Sequence, residues 1–166
     1  MTTNSKLDNE LTVQARHEQQ VKSKLEPLVA QAIAQARERE HVLSLVVLDI
    51  DAFRQINETY GHDTGDKVLE ELPRVIEQQA ELSAVRWGGE EFAVLCPDHS
   101  LEEARALAER IRSAVSGHSF SGAGAITVSL GVATHQTGKP AMEVIQRAIA
   151  ATYQAKMEGK NRVVDG

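Results

Sequence analysis

The 166-residue chain is 42% hydrophobic, which suits one domain with its own core and leaves little for a second. Its net charge of −6 and pI near 5.5 exclude broad electrostatic attraction to a nucleic-acid backbone or an anionic membrane, so an anionic ligand needs local help from metal ions or a few placed lysines. The lone Cys96 excludes an internal disulfide, and no stretch reads as a signal peptide or bilayer span, so the expectation is a soluble cytoplasmic protein with no membrane segment.

Residues 1–10, MTTNSKLDNE, are polar and aperiodic and read as a flexible stump or linker, followed by a single domain over 11–166. Val21, Leu25, Leu28, Val29, Ala32 and Ile33 recur at helical spacing, with Pro27 marking a kink or the first turn of a second segment. VLSLVVLDID is a short apolar run ending in acid, which predicts a buried strand with carboxylates at its C-terminal end. In DKVLEELPRVIEQQ the apolar Val68, Leu69, Leu72, Val75 and Ile76 form one helical stripe.

SAVRWGGEEFAVLCP is two β-rich runs joined at Gly88-Gly89. Both glycines tolerate positive φ, so the pattern predicts a two-residue hairpin with Glu90 and Glu91 beside its tip. Leu101, Ala104, Leu107, Ala108, Ile111 and Val115 mark another amphipathic helix, and AITVSLGVAT alternates Ile126, Val128, Leu130 and Val132 as a half-buried strand. Met142, Val144, Ile145, Ala148, Ile149 and Tyr153 give a last long helix, stopped at Gly159 before a short strand NRVV. Helices interleaved with strands around a central hairpin predict an α+β fold, with a mixed or antiparallel central sheet and flanking helices.

Asp49 and Asp51 end one strand, and Glu90 and Glu91 flank a hairpin tip. If these strands are neighbours, three or four carboxylates converge, which is costly unless something neutralises them; oxygen-only ligands favour a hard divalent cation. Mg²⁺ suits such a site because it keeps water and accepts substrate phosphate in its remaining positions. Either pair alone reads as solvated surface acid; together they point to a metal. An EF-hand starting at Asp49 fails because Phe53 and Tyr60 stand at its fifth and twelfth positions, and GHDTGDK lacks the spacing of a phosphate loop.

DIDAFRQINETYGHDTGD, then RWGGEEF, then TYQAKMEGKN closely resemble, in that order, the motifs of the GGDEF-family diguanylate cyclases, enzymes that condense two GTP molecules into cyclic di-GMP and two pyrophosphates. The resemblance runs from about Val42 to Val164 and implies a palm-like nucleotidyl cyclase architecture. It implies that Asp49 and Glu90, helped by the backbone carbonyl of Ile50, bind two divalent metals per active site, Mg²⁺ or Mn²⁺ in its place. It gives Glu91 a catalytic role near the attacking 3′-hydroxyl, as general base or as positioning group. Gly88 and Gly89 then leave room for phosphate to approach the backbone.

AFRQI begins a helix whose free amides at Ala52 and Phe53 face phosphate, with Arg54 where the family usually has Lys; the Phe53 side chain itself reads as core. Asn57 and Asp66 match the guanine-binding positions. A carboxylate accepts from the ring N–H and exocyclic amine of guanine, a donor pair that adenine lacks. As ordinary residues, Asn57 would cap a helix end and Asp66 the start of the next helix. Lys156 and Lys160 match two basic triphosphate contacts, the second more often Arg in the family; otherwise they decorate a helix terminus. His62 fits the pattern without a catalytic role.

The family's opening DxLTGLxNRR-like element is here NELTVQARHE, which keeps Leu11 and Thr12. Where many members carry an RxxD product-inhibition site, this chain has QAEL at residues 79–82, so no inhibitory site is expected. One domain holds one GTP, so ring closure implies a homodimer, two domains meeting face to face. The partners implied are GTP and a second copy, with no nucleic acid, and family members commonly carry an upstream sensory domain. The alternative is a degenerate GGDEF domain that binds GTP as a regulatory module without turnover; the intact acids favour the enzyme.

Overall fold

The computed structural model describes residues 12–166; Leu11 and the expected flexible start over 1–10 lie outside the described residues. The chain is helical over residues 12–20 (α1), passes without a break into a π-helical turn at Val21–Leu25, and continues as α2, Glu26–Arg39. Pro27 falls in the first turn of α2, directly after the π-helical turn. The helix thus starts earlier than the apolar periodicity, because residues 12–20 are polar on most of their circumference and show no stripe.

Strand β1, Leu43–Ile50, is followed by α3, Phe53–Tyr60, and α4, His62–Ala80. β2, Ala84–Arg86, and β3, Glu91–Pro97, form the hairpin, and α5, Leu101–Gly117, returns the chain across the sheet. A capping box starts α5: Ser100 Oγ accepts the Glu103 N–H while Glu103 accepts the Ser100 N–H. β4, Val128–Thr134, α6, Ala141–Met157, and β5, Val163–Asp165, complete the chain. The sheet order is β2-β3-β1-β4-β5, antiparallel except for the parallel β4–β5 pair, so the expected α+β fold with a mixed sheet is what forms.

β1 is central and alternates between two cores. Val46, Leu48 and Ile50 face α4 and α5, and Leu45 and Val47 face the N-terminal helical segment and α6. β4 is buried on both faces rather than half-buried, and it begins at Val128, so Ile126 precedes it. The positions that read as polar alternation, Ser129, Gly131 and Ala133, are small because α6 lies directly on them. A Cβ on Gly131 would stand 2.6 Å from the Thr152 amide nitrogen. Thr152 Oγ1 bridges this contact, donating to Ala148 O at 2.9 Å and Val47 O at 3.3 Å.

Candidate active site

Four segments meet at one edge of the molecule: the end of β1, the start of β3, the last turn of α6 and the helix α1. The β1–β3 register sets Asp49 opposite Glu91, and Glu90 O accepts the Ile50 N–H at 3.2 Å, extending the ladder by one residue. Asp49 and Glu91 therefore project side by side from the sheet face that α6 covers. Burial raises the Asp49 pKa from 3.8 to about 7, with Lys156 opposing and the neighbouring Glu90 and Glu91 charges adding to the rise. Burial likewise pushes the Glu91 carboxyl up, against the pull of His17.

Lys156 reaches back from the end of α6. Its Nζ lies 3.1 Å from Asp49 Oδ1, an ion pair without hydrogen-bond alignment, and 3.3 Å from Ile50 O, to which it donates. Asp51 Oδ1 is 3.5 Å away. An ammonium thus sits between oxygens of Asp49 and Ile50, two of the groups the sequence offers to a metal, so the pocket holds positive charge beside hard oxygen donors. Among the described residues no group of three His, Cys, Asp or Glu side chains is arranged to hold a metal ion by itself.

Asp51 also approaches Lys156, but its oxygens are already engaged by the protein. Its buried carboxylate accepts from Thr127 Oγ1 at 2.7 Å, Ser129 Oγ at 2.6 Å and the Asn161 N–H at 3.0 Å, and its own amide donates to Thr127 O. It fastens the sheet to the loop after α6, where Gly159, Lys160 and Asn161 all have positive φ and Arg112 donates to Asn161 Oδ1 at 3.0 Å. Lys160 is exposed on this loop and shares an open cleft of about 520 Å³ with Ala52 and Gln55 at the start of α3. Ala52 caps α3 with φ 53°, a left-handed conformation that costs a non-glycine residue roughly 1 kcal/mol.

The hairpin differs from the two-residue form. Its loop is Trp87–Glu90, four residues between β2 and β3, and neither Gly88 nor Gly89 has positive φ. Arg86 Nε donates to the carbonyls of both glycines, at 3.1 and 2.9 Å, which draws the loop into a wider turn. Gly88 is required by proximity, because a Cβ there would press on the Glu91 side chain, 3.1 Å from its Cβ, whereas a Cβ on Gly89 meets nothing within 4 Å.

The remaining sequence candidates lie around α3 and α4. The Asn57 side chain packs on Gly65, beside Asp66, and neither residue caps a helix by its side chain: Asp66 is the fifth residue of α4, and α4 is entered through Gly61 at φ 91°. Arg54 points into solvent and pairs with Glu58 at 3.2 Å. Phe53 packs partly into the core. The fold therefore gathers Asp49, Ile50, Glu90, Glu91 and Lys156, places Lys160 beside Ala52, and sets Asn57 and Asp66 together on the helix pair.

Sequence reasoning missed His17, whose Nε2 is 3.2 Å from Glu91 Oε1 and whose ring packs edge-on against Trp87 at 5.3 Å between centroids. The available signal was spacing: His17, Val21, Leu25 and Val29 follow one another at four-residue steps, and the last three are buried. The hydrogen-bonding role of Asp51 had no such signal.

Comparison with known proteins agrees with this geometry. Residues 18–162 match the family model "Diguanylate cyclase, GGDEF domain". The chain is 45% identical over 123 residues to the diguanylate cyclase DgcM of Escherichia coli K12, a match covering 73% of this chain and 30% of that protein; it thus spans about a third of such a relative's length. Among solved structures it resembles the GGDEF domain of DgcB from Caulobacter crescentus in complex with c-di-GMP, with a TM-score of 0.78, 38% identity, and coverage of 84% of this chain and 86% of that one. It also resembles the active GGEEF domain of a diguanylate cyclase from Vibrio cholerae, with a TM-score of 0.79, 33% identity, and coverage of 86% and 94%.

Proposed function

This chain belongs to the GGDEF family of diguanylate cyclases, and on that premise we propose that it condenses two GTP molecules into cyclic di-GMP and two pyrophosphates, as a homodimer. The observation that carries the reading is the β1–β3 register, which brings Asp49 and Glu91 together beside the Ile50 carbonyl and under the Lys156 ammonium. That arrangement suits a polyphosphate: a buried acid pair whose charge invites a cation, a lysine able to move onto phosphate, and a glycine loop open on its outer side.

Asp49, Glu90 and the Ile50 carbonyl would hold divalent metal, Mg²⁺ or Mn²⁺, which when bound supplies Lewis-acid stabilisation of phosphate charge. Lys156 then exchanges its contacts with Asp49 and Ile50 for the triphosphate, and Lys160 adds charge from the other side of the loop. The first turn of α3 borders the cleft that holds Lys160, and its free amides would meet phosphate there. Gly89 gives phosphate access to the backbone. Asn57 and Asp66 read the guanine edge, Asp66 as acceptor for its donor pair. Glu91, whose carboxyl is pushed up by burial, stands closest to the role of proton acceptor from the 3′-hydroxyl or of its positioning group. Each copy holds one GTP, so the attacking hydroxyl and the electrophilic phosphorus come from different copies.

Incubation with GTP and Mg²⁺ followed by chromatography of the nucleotides tests the reading. Cyclic di-GMP and pyrophosphate are the expected products; GTP that is bound but unconverted would leave a regulatory GTP-binding module as the function.

A further inference from the structure

The Glu91 carboxylate is held by little. Among the described residues its Oε2 is buried without a hydrogen-bond partner, as is Trp87 Nε1, and the hydrogen bond that Oε1 makes is to His17 Nε2 at 3.2 Å. His17 comes from α1, far from Glu91 in sequence. Its ring fills the space over Trp87, itself 1% exposed, and with Asp49, Glu91, Tyr153 and Lys156 it encloses a cavity of about 20 Å³, the size of one water.

The helix delivers His17 there for a packing reason. Val21, Leu25 and Val29 are buried against the sheet, and His17 continues that ridge by one further step, with the π-helical turn at Val21–Leu25 lying between it and α2. Such turns insert one residue and re-aim the side chains before them. A polar ring at the end of an apolar ridge needs a polar partner, and Glu91 is the one it meets.

We propose that His17 is a positioning residue for Glu91, fixing the carboxylate through Oε1 while its ring buttresses Trp87, so that the seating of the N-terminal helix sets the turnover of the site. The proposal rests on the diguanylate cyclase reading above and adds to it a line of control: whatever displaces α1 slackens Glu91 while Asn57 and Asp66, on α3 and α4, keep their places.

His17→Ala and His17→Gln in the full chain test it, read by steady-state kinetics with GTP and by the emission of Trp87, the single tryptophan. His17→Ala is expected to lower kcat by roughly ten- to a hundredfold, the scale of a misplaced catalytic group, with KM for GTP within about twofold. Its Trp87 emission should shift to the red and become accessible to acrylamide. His17→Gln, whose amide can donate to Glu91, should recover most of kcat, which loss of helix stability alone would not allow.

Unchanged or increased kcat in His17→Ala, or a rise in KM alone, overturns the proposal. A parent chain that makes no cyclic di-GMP overturns the proposed function and the turnover claim with it. Unshifted Trp87 emission in His17→Ala overturns the His17 contact whatever the enzyme does.

Discussion

Asp49 and Asp51 stand two residues apart and answer oppositely to removal of charge. In the metal-free protein Asp49 has its pKa raised from 3.8 to about 7 by burial, so the folded state binds its proton more tightly than the unfolded state. The stability this contributes is complete below about pH 3.8 and is lost as pH rises through 7. That gap corresponds to roughly 4 kcal/mol. Asp49→Asn keeps the shape and removes the ionisation. Lys156 loses its ion pair at 3.1 Å but keeps Ile50 O at 3.3 Å and Asp51 at 3.5 Å, so the net gain above pH 8 is expected at about 1–3 kcal/mol, with little difference at pH 4. Asp51→Asn, by contrast, turns an NH₂ toward hydroxyl and amide donors and should lose about 2–4 kcal/mol at pH 8.5. Urea unfolding in EDTA at pH 4 and pH 8.5 measures all three proteins. An Asp49→Asn variant that is less stable than the parent at pH 8.5, or whose difference does not change with pH, refutes the burial argument. The stabilised variant should also make no product, stability here being won at the expense of the site.

The hairpin glycines separate by mechanism: Gly88→Ala should cost about 1–3 kcal/mol by pressing on the Glu91 side chain, while Gly89→Ala should melt within about 0.5 kcal/mol of the parent. Loss of GTP turnover in Gly89→Ala at unchanged melting temperature then reports obstruction of the phosphate, and equal destabilisation of the two would show the loop to be otherwise packed. Ala52→Gly relieves φ 53° at the α3 cap and should melt no lower than the parent, unlike an Ala→Gly change inside a helix, which costs about 1 kcal/mol; a drop of that size would show the turn to be unstrained. Asp66→Ala should raise KM for GTP and erode preference over ATP, since a base-edge hydrogen-bond pair is lost; equal initial rates and selectivity in variant and parent would remove Asp66 from base recognition.

The elements with strong apolar periodicity were legible: β1 from its continuous run, α4 and α5 from their stripes, the hairpin from its paired β-rich segments. What stayed hidden depended on contacts that spacing does not encode. Gly88 and Gly89 signal a tight turn, whereas in the wider loop that forms Arg86 captures their carbonyls, a side-chain contact that the glycine pair does not announce. Asp49 and Asp51 look equivalent in sequence, yet strand alternation ends between them and the turn at Ala52 hands Asp51 to Thr127, Ser129 and Asn161. β4 looked half-buried because small residues and polar residues read alike to a hydropathy pattern. His17 was overlooked because the polar start of α1 gives no stripe until Val21, although its four-residue offset from the buried ridge places it on the same side.

Gly131 lies away from the acids, yet it acts as the shim of the active site. The depth at which α6 beds on β4 is set by the missing side chain there, with Ala148 and Thr152 resting against its backbone. Lys156 is carried one helical turn beyond Thr152, so its reach to Asp49 and Ile50 is a lever whose fulcrum is Gly131. A single methyl at that fulcrum would lift the helix and retract the ammonium, leaving every residue of the charge cluster chemically intact and geometrically out of range. Tolerance for change is therefore narrow along the seam between α6 and β4, where drift in ordinary packing residues is transmitted as a loss of grip on charge.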